Sequence, residues 1–345
     1  MANKIRIPWA YVALTLMFIA VGVGVSFMVY YSYGIRKTVL KDGSVCIPTG
    51  TDLKSQAAIL FDEGFLKDSS DYLRFAKRFK YDRVYPGKYT LKKGMTCSQL
   101  LKIVNTGLQT TVKVPFNNIR NREKLAGVVG KRLEADSASL MELFTSDSIY
   151  NVYGLNDATF LSMFIPDTYE FYWNTSADEF ISRMKQENNT FWSKKSRTEK
   201  LNAINMTKEQ VSTLASIVIE ESKAPSELAK IAGVYVNRLK KGMPLQADPT
   251  VKFAVGDPSI RRVLYKHLEV DSPYNTYKRA GLPPGPICVP PINAIDAVLD
   301  YEKHNLYYFC ASPELNGLHL FAKTLKEHNK NAAAYAVALN KKGIR

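Results

Sequence analysis

The stretch TKEQVSTLASIVIEESKAP, residues 207–225, places a carboxylate on the inward side of an apolar helix. Thr207 followed by Gln210 has the spacing of a capping box, and Pro225 is a natural stop, so both ends of the helix are marked. Between them Leu214, Ile217, Val218 and Glu221 recur at i, i+3, i+4 and i+7, which puts Glu221 on the same stripe as three aliphatic side chains. Glu220 is turned ~100° away, in line with Thr213 and Ser216. A carboxyl held against apolar surface has its charged form disfavoured, so it stays protonated at higher pH and can act as a general acid. The competing reading is structural, with Glu221 tying two helices through an ion pair to Lys or Arg.

The 345-residue chain, 46% hydrophobic, is long enough for two or three folded units. Its formal charge of +15 suits a polyanionic partner such as nucleic acid, lipid headgroups or an acidic wall polymer, or a lysine-rich solvated surface. Cys46, Cys97, Cys288 and Cys310 are scattered without a CxxC pair. This argues against a zinc site and a thioredoxin-like motif, and leaves open one or two disulfides whose partners spacing cannot choose.

Residues 9–33, WAYVALTLMFIAVGVGVSFMVYYSY, carry no charge and are long enough to cross a bilayer as a helix. Trp9 and Tyr11 at one end and Tyr30, Tyr31 and Tyr33 at the other read as interfacial belts. A cleaved signal would have a shorter apolar core and a small-residue cleavage site, so the run is expected to be an anchor behind a leader of residues 1–8. Lys4 and Arg6 before it balance Arg36, Lys37 and Lys41 after it, so charge does not decide the orientation.

Residues 44–112 contain a weak repeat. IPTGTDLKSQAAILFDEG (47–64) and TLKKGMTCSQLLKIVNTG (90–107) each read as strand, glycine turn, helix and closing glycine, with a looser third copy at 112–133. Units this small are expected to pack into one α+β module. Beyond residue 113 the pattern is mainly helical, interrupted by FIPDTYEFYW (164–173), by a polar segment at 188–206 read as a solvated connection, and by a second helix at 226–242 capped by Ser226. Two segments, 244–256 and 272–291, are rich in Pro, Gly and polar residues and read as long loops. Residues 305–321 read as a hairpin, followed by a helix over 326–341.

Gln246, Asp248, Thr250, Asn275 and Tyr277 in those loops are candidates to bind hydroxyl and acetamido groups, and Tyr169 and Tyr274 to offer faces to sugar rings. The alternatives are local caps and turns for the polar groups and core packing for the aromatics. No phosphate loop, GxSxG elbow or HExxH is present, and His319 and His328 are too isolated in sequence to suggest a metal. The chemistry is therefore expected to run on carboxylates and hydroxyls, without metal or cofactor.

LASIVIEESK (214–223), VYVNRLKKGMPLQADPTV (234–251) and SPYNTYKRAGLPPGPI (272–287), in that order and spacing, resemble the signature of the endolytic murein transglycosylases, the MltG-like or YceG-like family. PDTYEF (166–171) and the HLF and EHN segments near the end extend the likeness. The resemblance implies an α+β chain with one N-terminal transmembrane helix (9–33), a LysM-like module (34–112), and a mainly helical catalytic domain (113–345) with long loops and a small β element. It implies a single-pass protein of the inner (plasma) membrane, with its catalytic domain on the extracytoplasmic side. There it would cut β-1,4 bonds between N-acetylmuramic acid and N-acetylglucosamine, leave 1,6-anhydro ends and so terminate strand elongation.

The family's essential glutamate falls on Glu221, since the usual EKE-like block reads IEE here, with Ile219 in place of its first acid. Leu161 and Ser162 stand where the family usually has an acidic residue and a glycine, which puts a second supporting carboxylate in doubt. Glycan strands are the implied partner and peptidoglycan synthases are candidate ones. One rival is a catalytically silent wall-binding scaffold of a synthesis complex. The other, a membrane-tethered nucleic-acid binder, is disfavoured because no nucleic-acid motif is present.

Overall fold

The uncharged N-terminal run folds as one helix, α1 (Trp9–Val29), continued by a wider turn over Tyr30–Gly34. In this computed structural model, which describes residues 9–116, 119–257, 259–260 and 262–343, Trp9–Ser32 is the one helical stretch among the described residues long and apolar enough to cross a membrane. The leader 1–8, with Lys4 and Arg6, lies outside the described residues. Tyr30, at the far end of the span, meets other aromatic rings. Its ring packs on Phe75 and Phe79, with centroids 6.0 and 5.6 Å apart, because the next helices come back against the end of the span.

Residues up to Lys113, with 132–134 and 170–175, form the first of two units. After α1 come β1 (Gly43–Ile47), α2 (Leu53–Asp62), α3 (Ser69–Arg78), β2 (Gly87–Leu91) and α4 (Cys97–Asn105). The strands pair antiparallel, with Gly43 opposite Leu91 and Ile47 opposite Gly87. Along β2 the inward residues alternate as Gly87, Tyr89 and Leu91, which is the period a one-faced strand requires. The two strand–turn–helix copies are thus β1–α2 and β2–α4, and α3 stands between them, capped by Asp68 and burying Tyr72, Phe75 and Ala76.

The second unit holds most of the remaining chain. Its elements run α5 (Arg122–Gly130), α6 (Ser137–Phe144), α7 (Asp147–Tyr153), α8 (Ala177–Ser193), α9 (Arg197–Ile204), α10 (Lys208–Glu221), α11 (Pro225–Lys240), α12 (Asp248–Val255), α13 (Tyr265–Leu268) and α14 (Ile292–Leu299). Two short strands, β3 (Val112–Pro115) and β4 (Thr168–Phe171), fall where the chain passes from one unit to the other, and a hairpin, β5 (Tyr308–Ala311) and β6 (His319–Ala322), leads into α15 (Leu325–Lys341).

At the centre lies α10. Thr207 and Gln210 form the expected capping box, but burial is not confined to one stripe: every residue from Val211 to Val218 is buried, Thr213 and Ser216 included. The hydroxyls are paired rather than solvated. Thr213 Oγ1 donates to the Glu209 carbonyl, and Ser216 Oγ donates to Thr213 and accepts from the Ile287 amide. Val211, Leu214, Ile217 and Val218 share a core with Ile231, Tyr235, Ile295 and Val298 of the helices on either side.

Three segments fold otherwise than their composition suggests. The segment 188–206 is no solvated connection: it completes α8 and forms α9, whose Arg197 is buried in a two-pronged pair with Asp296 (2.8 and 3.1 Å) over the Phe191 ring. Its polar composition hides that pair, because the carboxylate that makes burial of the guanidinium tolerable lies 99 residues along the chain. α11 begins with Pro225 in its first turn and Ala224 as the cap, not Ser226, since proline loses no helical hydrogen bond there. Residues 248–255, read as loop, are α12, with Pro249 in its first turn and left-handed Gly256 (φ 72°) past its end.

Close packing of α11 gives a direct test. A methyl group on Gly233 would collide with the Glu302 carbonyl and lie 2.7 Å from His304 Nε2. Glycine to alanine inside a helix ordinarily adds ~1 kcal/mol of stability. Here Gly233→Ala is expected to reverse that sign and lower stability by roughly 1–3 kcal/mol, measured as a lower Tm.

Candidate active site

Glu221 is the last residue of α10, and the backbone turns at Ser222 into α11. That reversal brings Tyr235, fourteen residues on, over the carboxyl: its hydroxyl donates to Glu221 Oε1 at 2.7 Å. Among the described residues no Lys or Arg pairs with Glu221, so the structural ion-pair reading has no partner here. Glu220 is the residue with cationic partners, Arg120 at 3.2 Å and Lys223 at 3.0 Å. The adjacent carboxylates thus differ, one in direct ion pairs and the other hydrogen-bonded to a tyrosine hydroxyl.

The Glu221 carboxyl is partly accessible along a cavity of about 410 Å³ but crowded by protein, and its pKa is pushed up from 4.5 to about 7. Burial is the leading cause. The Tyr235 hydrogen bond works the other way by favouring the carboxylate, the negative charge of Asp248 raises the value further, and Lys252 and Arg238 lower it. Near neutral pH the group is poised to give a proton and to take one back.

Arg238, one turn beyond Tyr235, ties the cavity wall together. Its guanidinium donates to the carbonyls of Tyr307 (2.6 Å), Pro244 (3.2 Å) and Leu245 (2.9 Å) and to Gln246 Oε1 (3.3 Å), and lies over the Tyr308 ring. Burial lowers its pKa from the usual arginine value. The far wall comes from the hairpin and α15, through Tyr308, Phe309, His319 and His328. His319 donates its backbone amide to Glu227 and sets Nδ1 2.9 Å from that carboxylate, which anchors β6 on the first turn of α11.

Of the predicted binding residues, Gln246, Asp248 and Tyr277 line this cavity with Glu221, and the Tyr277 hydroxyl donates to Asp248 Oδ1 at 2.6 Å. Thr250 and Asn275 do not reach it. Thr250 is buried, donating to the Ala247 carbonyl and bonded to Thr276, while buried Asn275 donates to the Leu268 and Val270 carbonyls. Both brace the backbone around Gln246, Asp248 and Tyr277, the turn-and-cap alternative for these residue types.

Tyr274 packs against Phe253, centroids 4.7 Å apart, and buried Tyr169 donates to the Ile165 carbonyl and packs near Phe116. Neither is on the Glu221 wall. A second cavity of about 350 Å³, lined by Arg120, Glu220, Pro249, Lys252 and Phe253, shares the end of α10 and the start of α12 with the first.

Sequence reasoning missed Tyr235, Arg238, Tyr308, Phe309, His319 and His328. A signal existed for Tyr235: Leu228, Ile231 and Tyr235 recur at i, i+3 and i+7, the rule that singled out Glu221. For the hairpin residues no local pattern exists. The four cysteines are all free, and burial pushes the thiols of Cys97 and Cys288 up to about 12.

The electrostatics predict opposite shifts for two variants. Tyr235→Phe removes a bond that favours the carboxylate, so the Glu221 pKa should rise by about one pH unit. Asp248→Asn removes a negative neighbour and should lower it. A carbon-NMR titration of the Glu221 carboxyl reads both.

The YceG-like family model matches residues 45–334, and the chain belongs to that family. It is 32% identical over 332 residues to the endolytic murein transglycosylase of Bacillus subtilis, covering 90% of this chain and 91% of that one. To the endolytic murein transglycosylase of Streptococcus pneumoniae it is 25% identical over 85% of its own length, spanning 58% of that longer protein. The crystal structure of a yceG-like protein from Listeria monocytogenes aligns with a TM-score of 0.56 and 28% identity, over 84% of this chain and 98% of that one.

Proposed function

We propose that this chain is an endolytic lytic transglycosylase, a carbon–oxygen lyase that cuts the β-1,4 bond between N-acetylmuramic acid and N-acetylglucosamine within peptidoglycan strands and leaves a 1,6-anhydro end. The observation that carries the reading is the Glu221 carboxyl on a cavity wall, with a pKa of about 7, in a chain whose relatives bear that name.

Glu221 gives its proton to the glycosidic oxygen as the bond to the muramic acid anomeric carbon breaks. It then takes a proton from that sugar's C6 hydroxyl as the hydroxyl oxygen closes on the same carbon. One carboxyl suffices because the nucleophile is part of the substrate, whereas hydrolysis needs a second acid to activate water or attack the sugar. Gln246, Asp248 and Tyr277 are placed to orient hydroxyl and acetamido groups beside it, and Tyr308 and Phe309 to take the apolar face of a ring.

In this reading α1 anchors the chain in the plasma membrane, with the residues after it on the outer face. The first unit, LysM-like in its strand–helix repeat, holds glycan, and cutting nascent strands beside the synthases ends their elongation. The test is to incubate the full chain in detergent with purified glycan strands and weigh the products. Fragments 18 mass units lighter than hydrolysis products, the mass of one water, support the lyase; intact strands or fully hydrated ends overturn it.

A further inference from the structure

Helix α3 lies alongside the upper part of α1 and runs the other way. Near its start Asp71 faces Arg36 at 3.9 Å, and at its end Arg78 Nη2 reaches Ser26 Oγ at 2.5 Å. Arg36 lies just past the helical run that ends at Gly34, and Ser26 lies within that run eight residues before Gly34, so the basic end of α3 sits roughly 12 Å further down α1 than its acidic start. Charge is graded the same way: Asp68 and Asp71 open α3, while Lys77 and Arg78 close it.

This geometry fixes where a bilayer surface can lie. Were α1 buried as far as Ser32, the Arg78 guanidinium would sit in hydrocarbon, an expensive place for a charge. With the headgroups at Ser26, the helix from Trp9 to that point still measures ~27 Å, close to the hydrocarbon thickness of ~30 Å. Below Arg78 an open groove of about 600 Å³ runs along α1, lined by Gly22, Val23, Ser26 and Phe27 and closed at the top by Arg78 and Phe79. Gly22 leaves its floor bare, since no atom lies within 4 Å of where its side chain would begin. Among the described residues no carboxylate pairs with Arg78.

A cation above an apolar furrow at headgroup depth matches one chemistry. We propose that the groove between α1 and the end of α3 binds an anionic phospholipid of the bilayer that α1 crosses, its phosphate on Arg78 and an acyl chain along Gly22, Val23 and Phe27. The inference rests on α1 being a membrane anchor and is independent of the glycan chemistry.

The full chain, purified in mild detergent, is titrated with phosphatidylglycerol or phosphatidylcholine, and retained lipid is counted by native mass spectrometry. Phosphatidylglycerol should be held about fivefold more tightly. Arg78→Met should abolish the preference, while Arg78→Lys keeps most of it and so separates lost charge from lost fold. Equal retention of the two lipids by the wild type, or an undiminished preference in Arg78→Met, overturns the site. The anchor is tested separately by incorporation into nanodiscs: a chain that stays out of them sinks the anchor and the site together. One that enters them without headgroup preference sinks the site alone.

Discussion

Glu221→Gln is expected to cut the release of anhydro-ended fragments by about 10²–10⁴-fold, the range a positioned general acid contributes. The amide keeps the shape of the side chain and can still bond to the Tyr235 hydroxyl, so the cavity should persist. What disappears is the proton. Mass analysis of products from purified strands, with circular dichroism to show an unchanged fold, makes the comparison. A variant that cuts at near wild-type rate would remove the proton donor from the mechanism. Glu220→Gln serves as control, because Glu220 is already engaged by Arg120 and Lys223 on the other side of the helix end.

The same variant should be more stable than the wild type at alkaline pH. Glu221 titrates at 4.5 when solvated and at about 7 in the fold. Below pH 4.5 the carboxyl is protonated in both states and burial carries no charge penalty. As pH rises through 7 the folded state must hold a carboxylate in a site that disfavours it, and the stability linked to the bound proton is lost. The difference amounts to about 3 kcal/mol, or roughly 6–12 °C in the Tm of a unit this size. Glutamine carries no charge at any pH. The Tm gap between Glu221→Gln and wild type should therefore be small at pH 4, widen between pH 5 and 7, and level off above. A gap independent of pH would mean that the acid is not shielded.

Much of this site was legible in the sequence because its key element is local. The phase of Leu214, Ile217, Val218 and Glu221 is fixed by helix geometry alone, and the structure puts the carboxyl where that phase aims it. α12 was misread because it is eight residues long, opens on Asp248–Pro249 and is flanked by proline-rich loops, so too few turns exist for a period to register. Sequence spacing alone makes His319 and His328 look isolated. One lies on a strand and the other on a helix, and both come to the same cavity wall only because the hairpin folds back on α11 through Glu227. Thr250 and Asn275 have the residue types of sugar ligands, yet the same atoms satisfy loop backbone, and nothing in the sequence tells which partner takes them.

The carboxyl stands at residue 221, and the wall opposite it is made from residues 308–328. A chain released only as far as α14 would carry the acid with that side open to water, where an ordinary glutamate is ionised at neutral pH and has no proton to offer. Residues nearly a hundred positions along the sequence thus close the side of the cavity that the helix bearing the acid leaves open.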